Sequence, residues 1–229
     1  MKKTYFNWST GKDAALALYH FQKNTGLSIN LLVTTVNYHH ERVSMHGLRK
    51  SVLDRQVQSL GIPHKVISLP QNPSMETYDL IMKNAIKKLQ TLGYTDTGFG
   101  DIYLEDLRNY REQQLTGIQC HFPLWKKDTK ELLLEFIDLG FKAVVVCLNN
   151  ELLDESFVGS EIDHSFLNDL PKNVDPCGEN GEFHTFCYDG PIFKHPVDFE
   201  LGEKVKRYYD TPNTEEPDKK TGYWFIDLL

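Results

Sequence analysis

The sequence lacks long apolar runs, paired cysteines and an excess of positive charge. No stretch reaches the roughly 18 consecutive apolar residues that a transmembrane helix needs. Lys and Arg total 25 against 32 for Asp and Glu, so the formal net charge is −7. Nucleic acids and anionic membranes are bound through basic surfaces. We therefore expect neither a membrane protein nor a nucleic-acid-binding protein, although a local anion site is compatible with this charge.

Cysteines are few, and the first residues lack the pattern of a signal peptide. The 4 cysteines form no C-x-x-C pair, and Cys147 lies inside an apolar run typical of a buried strand. The basic start Met1-Lys2-Lys3 is not followed by an apolar segment, because Asn7, Ser9 and Lys12 interrupt it. We therefore expect reduced thiols and a cytoplasmic location.

The chain alternates strand and helix patterns up to about Asn149. Its 229 residues, of which 40% are hydrophobic, suffice for one large domain or two small ones. Strand-like runs are residues 4–9, 29–36, 64–69, 97–100 and 143–148. Helical patterns are residues 13–23, 48–60, 74–92, 103–115 and 130–139. This alternation predicts an α/β fold with a parallel sheet and helices on both faces.

The pattern changes after Asn149, where Gly, Pro and Asn become more frequent. A short helix is expected at residues 163–170. Residues 205–211 and 223–229 are rich in β-prone side chains and predict an antiparallel pair of strands. The polar segment 212–222 between them predicts a long, mobile loop with a solvated, charged tip.

The segment Ser9-Thr10-Gly11-Lys12-Asp13-Ala14 joins the first strand to the first helix. Open α/β sheets bind ligands at this end of the strands, and the N–H groups of a helix start attract phosphate. Lys12 adds a positive charge. The segment is not a Walker A loop, because Phe6 and Asp13 stand where that loop has Gly and Ser or Thr. It predicts a phosphate site, and an ordinary tight turn is the alternative.

Two further loops follow predicted strands. His46, in the sequence Val43-Ser44-Met45-His46-Gly47, lies after the second strand, at the end of the sheet where ligands bind. A loop histidine without a role is the alternative. Asp101 follows Gly98-Phe99-Gly100 at a strand tip, and we predict that it is functional. Glu105 and Asp106 occupy the first turn of the next helix, where acidic residues also stabilise the helix dipole.

The densest cluster of polar residues is at 175–187, with three carboxylates, one histidine and two glycines. Glu179 and Glu182 lie on a short, glycine-hinged turn and would repel each other unless a cation or proton lay between them. They are therefore predicted to share one rim, above Lys12, as ligands of Mg²⁺ or an amine or as acid/base groups. A solvated acidic turn is the alternative. A zinc site is also conceivable, but it would have only three ligands at a non-standard spacing, namely Cys177, His184 and Cys187.

The 9–14 segment resembles the loop S-G-G-K-D-S of N-type ATP pyrophosphatases. Thr10 replaces a glycine, and Ala14 replaces the last serine. Because a β-branched residue is costly at positive φ, we expect Thr10 at negative φ if the loop is intact. Loss of the serine hydroxyl removes a phosphate hydrogen bond worth about 0.5–1.5 kcal/mol.

Together these segments resemble the diphthine–ammonia ligase family and its bacterial relatives. The matching segments also include Phe122-Pro123-Leu124-Trp125 and residues 157–163 and 175–193. The resemblance implies a Rossmann-like nucleotide-binding domain of the HUP type at residues 1–118. It also implies a smaller α+β substrate-binding domain at residues 119–229.

The resemblance further implies an ATP-dependent ligase that makes an amide from a carboxylate and ammonia. The reaction would pass through an acyl-adenylate and release AMP and pyrophosphate. The implied nucleotide site comprises residues 9–14 with His46, and Asp13 would be the Mg²⁺ ligand. The implied catalytic carboxylates are Asp101, Glu105, Glu179 and Glu182. Asn180 and His184 would bind the acceptor.

Free ammonia is the expected nitrogen donor, because no glutaminase segment or amidase cysteine is evident. The acceptor is a carboxylate on a small molecule or on a modified protein side chain, with diphthine and a cobalamin precursor as candidates. A homodimer is left open. The alternatives are a nucleotide-binding sensor without turnover, which the changes at Thr10 and Ala14 would suit, and an RNA thiolation enzyme. The missing C-x-x-C pair and the negative net charge disfavour thiolation.

Overall fold

The computed structural model describes residues 2–44, 46–210 and 220–229. These residues form a six-stranded sheet and a four-stranded sheet. The strands are β1 Lys3–Asn7, β2 Ile29–Asn37, β3 Arg42–Val43, β4 His64–Leu69, β5 Tyr94–Gly98, β6 Gln119–His121, β7 Lys142–Asn149, β8 Phe183–Asp189, β9 Leu201–Asp210 and β10 Lys220–Leu228. The α-helices are α1 Lys12–Asn24, α2 Lys50–Leu60, α3 Met75–Thr91, α4 Glu105–Gln114, α5 Thr129–Asp138 and α6 His164–Asp169. In the described ranges, no helix is both long and apolar enough to cross a membrane.

The first sheet is parallel in the order β4-β2-β1-β5-β6, with the short β3 antiparallel to β2. The predicted parallel sheet is therefore confirmed. Strand order reverses between β1 and β5, because the chain leaves β1 toward β2 on one side and returns to β5 on the other. Open α/β sheets bind ligands at such a switch point, beyond the carboxyl ends of the strands.

Helices cover both faces of this sheet, as the sequence predicts. Successive strand residues point to opposite faces, and Tyr5 and Phe6 lie in two different hydrophobic clusters. Phe6 packs in a cluster that includes α1, α2 and the second sheet. Tyr5 packs with Ile86 and Leu89 of α3. The α1 and α2 face is therefore the one that the second sheet also covers.

The second sheet is antiparallel in the order β8-β7-β10-β9. The predicted pairing of the last two strands is confirmed, although β9 begins earlier, at Leu201. The predicted loop over residues 212–222 lies largely outside the described residues. Its last part is wrong, because Thr221 and Gly222 belong to β10 and pair with Tyr209 and Tyr208. Glycine has a low strand propensity, but a Cβ at Gly222 would lie only 2.4 Å from Asn150 Oδ1.

Local contacts place one short strand and one helix start that the sequence pattern missed. β6 follows the predicted domain boundary at residue 118, yet it pairs with β5 in the first sheet. Three residues are too few to show a strand pattern. α4 begins two residues later than predicted, at Glu105, because the N–H groups of Ile102 and Tyr103 donate to the Glu179 carboxylate. The predicted N-cap Ser74 is confirmed, since its hydroxyl accepts from Thr77 N–H.

A buried glutamine of α2 connects the two sheets. Gln56 Oε1 accepts a 2.8 Å hydrogen bond from Trp8 Nε1. Its Nε2 donates to the carbonyl of Thr10 at 2.9 Å and to the carbonyl of Cys187 at 2.6 Å. Gln56 is 0% exposed. The side chain therefore ties the loop after β1 to β8 of the second sheet.

Replacing Gln56 with Leu is expected to lower the free energy of unfolding by about 2–3 kcal/mol, because buried polar partners are left unpaired. Denaturant unfolding measures this change. The matched control is Gln58→Leu, which changes an exposed glutamine of the same helix and should stay within about 0.5 kcal/mol of the original. Equal effects of the two substitutions would show that the bridge adds no stability.

Candidate active site at the switch point of the parallel sheet

The loop after β1 has a strained backbone at Thr10. Its φ is +80°, so the predicted negative φ is wrong. Contacts from distant parts of the chain hold this conformation, because the Thr10 carbonyl accepts hydrogen bonds from Cys187 N–H and Gln56 Nε2, both at 2.9 Å. The Thr10 hydroxyl also lies 3.3 Å from His46 Nδ1. These bonds offset a strain of about 1–3 kcal/mol.

Replacing Thr10 with Gly should raise the free energy of unfolding by about 1 kcal/mol, because relief of left-handed strain exceeds the extra chain entropy that Gly loses. Thermal unfolding measures the change. Thr10→Ala is the control, since it keeps a Cβ at positive φ and should not be stabilised. A glycine variant that is less stable than the alanine variant would contradict this account of the loop.

The start of α1 is capped by the second sheet. Lys12 N–H donates to Thr185 Oγ1 of β8 at 3.0 Å, and a Cβ at Gly11 would lie 3.1 Å from the Thr185 carbonyl. Gly100 makes a second close approach, since a Cβ there would lie 3.0 Å from the backbone nitrogen of Ala14. Thr185 could not be singled out from the sequence, although it lies within the dense 175–187 cluster. Ser9 is exposed, whereas Thr10, Gly11, Lys12 and Ala14 are buried.

Lys12 is 3% exposed and carries its charge into the interior. Its Nζ donates to both carboxylate oxygens of Asp13 at 2.8 Å and to the carbonyl of Cys177. The ring of Phe183 lies 5.3 Å from Nζ, in a cation–π contact. Burial lowers the pKa of Lys12, but Asp13 and the other neighbouring acidic groups outweigh it, so the net pKa is raised. The side chain is therefore an ammonium at neutral pH.

Glu182 closes the turn at residues 175–182. It is 3% exposed, and its carboxylate accepts hydrogen bonds from Asp175 N–H at 3.1 Å and Asn180 N–H at 2.8 Å. Asn180 Nδ2 donates a third, at 3.0 Å. The expectation that both glutamates share one rim is therefore wrong. Glu182 shapes the turn from within, and Asn180 lies exposed at its tip.

Glu179 reaches from the turn to the backbone that follows β5. Its Oε1 accepts hydrogen bonds from Ile102 N–H at 2.9 Å and from Tyr103 N–H at 3.4 Å. The net pKa of Glu179 is raised to about 7. Burial is the largest cause and the negative charge of Asp13 adds to it, whereas the hydrogen bonds from Ile102 and Tyr103 and the charge of Lys12 lower the pKa. The turn therefore lies against Lys12, where the sequence predicts it. Glu179 is a carboxyl group that changes charge near neutral pH.

Asp101 lies beyond the end of β5, beside the same cluster. Arg111 holds its carboxylate in a two-point ion pair with distances of 2.8 and 3.1 Å. Burial raises the pKa of Asp101, Arg111 lowers it, and the net pKa is raised. Glu105, in contrast, is exposed on α4 and pairs with Lys126 at 2.8 Å. The structure therefore brings Asp101, but not Glu105, toward the loop.

The ring of buried His46 contacts the ring of half-buried His184 beside the 9–14 loop. Their centroids lie 4.8 Å apart in an edge-to-face arrangement, and His46 Nδ1 donates to the carbonyl of Ser9. Burial lowers the pKa of His46 to about 3 and that of His184 to about 4. Both imidazoles are therefore neutral at pH 7. His46 therefore packs against the 9–14 loop, and His184 packs against His46.

Asp13 is a carboxylate that could hold a magnesium ion bound with a nucleotide. In the described parts of the chain, no group of three or more His, Cys, Asp or Glu side chains is arranged to hold a metal by itself. Mg²⁺ bound with phosphates needs only one or two protein carboxylates, because phosphate and water oxygens supply the other ligands. Asp13 is 31% exposed and lies in the first turn of α1.

The strand order and the lysine-bearing loop at the switch point define a doubly wound α/β protein of the Rossmann-like class. Two family models match the sequence, the diphthamide synthase N-terminal domain over residues 1–116 and the diphthamide synthase C-terminal domain over residues 128–215. Together they cover most of the chain. The chain belongs to the diphthamide synthase family, as its resemblance to the diphthine–ammonia ligases predicts.

Curated relatives share part of this sequence. A diphthine–ammonia ligase from Bos taurus is 32% identical over 92 residues, which is 38% of this chain and 34% of the relative. A diphthine–ammonia ligase from Homo sapiens is 32% identical over 87 residues, 36% of this chain and 33% of the relative. The matches thus span about a third of the length of these relatives. Among solved structures, the U34-tRNA thiolase NcsA from Methanococcus maripaludis aligns with a TM-score of 0.39 and 17% identity, over 61% of this chain and 57% of the other.

Proposed function

We propose that this protein is an ATP-dependent amidoligase that joins ammonia to a substrate carboxylate and releases AMP and pyrophosphate. The observation that carries the proposal is the buried cluster of Lys12, Asp13 and Glu179 at the switch point of the parallel sheet. It combines a cation suited to phosphate with a carboxyl group suited to accepting a proton. The names of the curated relatives support the same reaction type.

In the first step, an oxygen of the acceptor carboxylate attacks the α-phosphorus of ATP. An acyl-adenylate forms, and pyrophosphate leaves. Lys12 and the start of α1 offset negative charge on the phosphates. Asp13 would hold Mg²⁺, which neutralises phosphate charge when bound. Because Lys12 N–H is already used by Thr185, the side chain of Lys12 rather than its own N–H is the contact that we assign to phosphate.

In the second step, ammonia attacks the acyl carbon, a C–N bond forms, and the C–O bond to AMP breaks. Ammonium must lose a proton before its nitrogen can attack. Glu179 suits this role, because a carboxyl group with a pKa of about 7 accepts a proton readily at neutral pH. Its hydrogen bonds to Ile102 and Tyr103 fix one oxygen and leave the other for the incoming nitrogen.

The test is release of AMP and pyrophosphate from ATP in the presence of ammonium and a panel of carboxylates. The panel includes diphthine-bearing protein, cobalamin precursors with free carboxyl groups and small dicarboxylic acids. We expect at least one acceptor to stimulate AMP release, with ammonium also required. ATP binding without AMP release across the whole panel would instead favour the nucleotide sensor.

A further inference from the structure

The ammonium group of Lys12 occupies a cage built from α1, from the 175–182 turn and from the start of β8. Asp13 contributes two carboxylate oxygens, Cys177 contributes a carbonyl oxygen, and Phe183 contributes the face of its ring. Asp13 comes from α1, whereas Cys177 and Phe183 come from the 175–182 turn and the strand that follows it. Lys12 and its partners thus enclose a space that already holds a nitrogen cation away from water.

The chemistry of this cage suits ammonium itself. An ammonium group carries only N–H donors, and it is bound by carboxylate oxygens, carbonyl oxygens and aromatic faces. The cage offers each of these. Glu179 also lies close enough for its charge to act on the Lys12 ammonium. Any nitrogen cation in this position would therefore lie beside the carboxyl group that we propose takes the ammonium proton.

Lys12 has two competing positions for its charge. In this structure its ammonium is in the cage, whereas the proposed function requires it on the phosphates of ATP. If it moves to phosphate, the carbonyl of Cys177, the ring of Phe183 and the Asp13 oxygen that does not hold Mg²⁺ lose the cation that they now contact. A buried carbonyl without a donor is destabilising. The vacated cage therefore needs a new cation.

We infer that ATP draws Lys12 out of the cage and that the cage then binds the ammonium ion that serves as the second substrate. This inference rests on the proposed function, and it names where ammonium binds and why it binds after ATP. Its thermodynamic consequence is reciprocal coupling, in which ammonium increases the affinity for ATP and ATP increases the affinity for ammonium.

The first test is calorimetric titration of ATP and Mg²⁺ into the full-length chain at neutral pH. Three salts are compared at equal ionic strength: ammonium chloride, sodium chloride and tetramethylammonium chloride. The Kd for ATP should be at least about fivefold lower in ammonium chloride than in the other two salts. Phe183→Leu, which removes the aromatic face, should reduce this difference. Equal Kd values in the three salts would overturn the inference.

The second test uses Lys12→Met, which removes the ammonium group but keeps an unbranched side chain up to the Cε atom. Without ATP, ammonium chloride should raise the Tm of this variant by at least about 2 °C over sodium chloride. The original chain should show no such difference, because its own lysine fills the cage. The control is Lys50→Met, which removes an exposed ion pair with Asp54 and should not respond to ammonium. An equal rise in Tm of both variants in ammonium chloride would contradict an ammonium site in the cage. If Lys12→Met does not fold, the calorimetric titration of ATP decides.

The two proposals fail in different ways. If ammonium and ATP increase each other's affinity but no carboxylate stimulates AMP release, the ammonium site is supported and the ligase reaction is contradicted. AMP release that requires ammonium, with an ATP affinity that is the same in all three salts, would keep the ligase and place ammonium elsewhere.

Discussion

Replacing Glu179 with Gln should lower the rate of amide formation at least about 100-fold. This factor is the lower end of the range for loss of a general base. ATP binding should stay near its original level, because Glu179 bonds Ile102 and Tyr103 rather than the 9–14 loop. The measurement is product formation beside calorimetric ATP binding. The control is Glu203→Gln, which changes an exposed residue of β9. A Glu179 variant with full activity would refute the role of proton acceptor.

The same residue should set the pH dependence of the reaction. Because burial raises the pKa of Glu179 from 4.5 to about 7, its carboxylate dominates only above that pH, and amide formation should rise as pH passes 7. Between pH 4.5 and 7 the Glu179 carboxyl group keeps its proton in the folded state and has lost it in the unfolded state. The contribution of Glu179 to the free energy of unfolding is therefore present at low pH and falls as pH rises through this window. Both dependences should disappear in Glu179→Gln.

Replacing Lys12 with Met should weaken ATP binding by about 1.5–3 kcal/mol, the range for hydrogen bonds to charged groups, or about 10- to 150-fold in Kd. The physical reason is loss of the cation that faces the phosphates at the start of α1. Calorimetry of ATP with Lys12→Met beside Lys50→Met measures the effect. An unchanged affinity in the Lys12 variant would show that ATP does not bind at this loop.

The architecture could be predicted because it depends on local patterns. Alternating apolar runs and amphipathic helices indicate a parallel sheet, and the position of Lys12 after the first strand follows from chain order alone. The proximity of Asp101 to that loop also follows, since β1 and β5 are neighbours in a doubly wound sheet. The short strand β6 could not be predicted, because its three residues are recognisable only through pairing with β5.

The finer geometry of the site could not be predicted because it depends on contacts between distant residues. The positive φ of Thr10 is held by hydrogen bonds from Gln56 and Cys187. Gln56 lies 46 residues away along the chain, and Cys187 lies in the second sheet. The two glutamates look equivalent in the sequence. They differ because Glu182 bonds its own turn, whereas Glu179 reaches the backbone after β5. A polar Gln56 on the apolar face of α2, beside Val52 and Leu53, was the one available signal for the buried bridge.

The central claim, that a carboxylate is activated on ATP and then joined to ammonia, is tested most directly by isotope transfer. The acceptor that best stimulates AMP release is prepared with oxygen-18 in its carboxyl group and is allowed to react with ATP and ammonium. The oxygen-18 content of the AMP is then measured by mass spectrometry. Our account predicts that AMP carries one oxygen-18 atom from the acceptor, because that oxygen remains on phosphorus when nitrogen displaces it. Unlabelled AMP, formed at the same rate as the amide, would contradict the account.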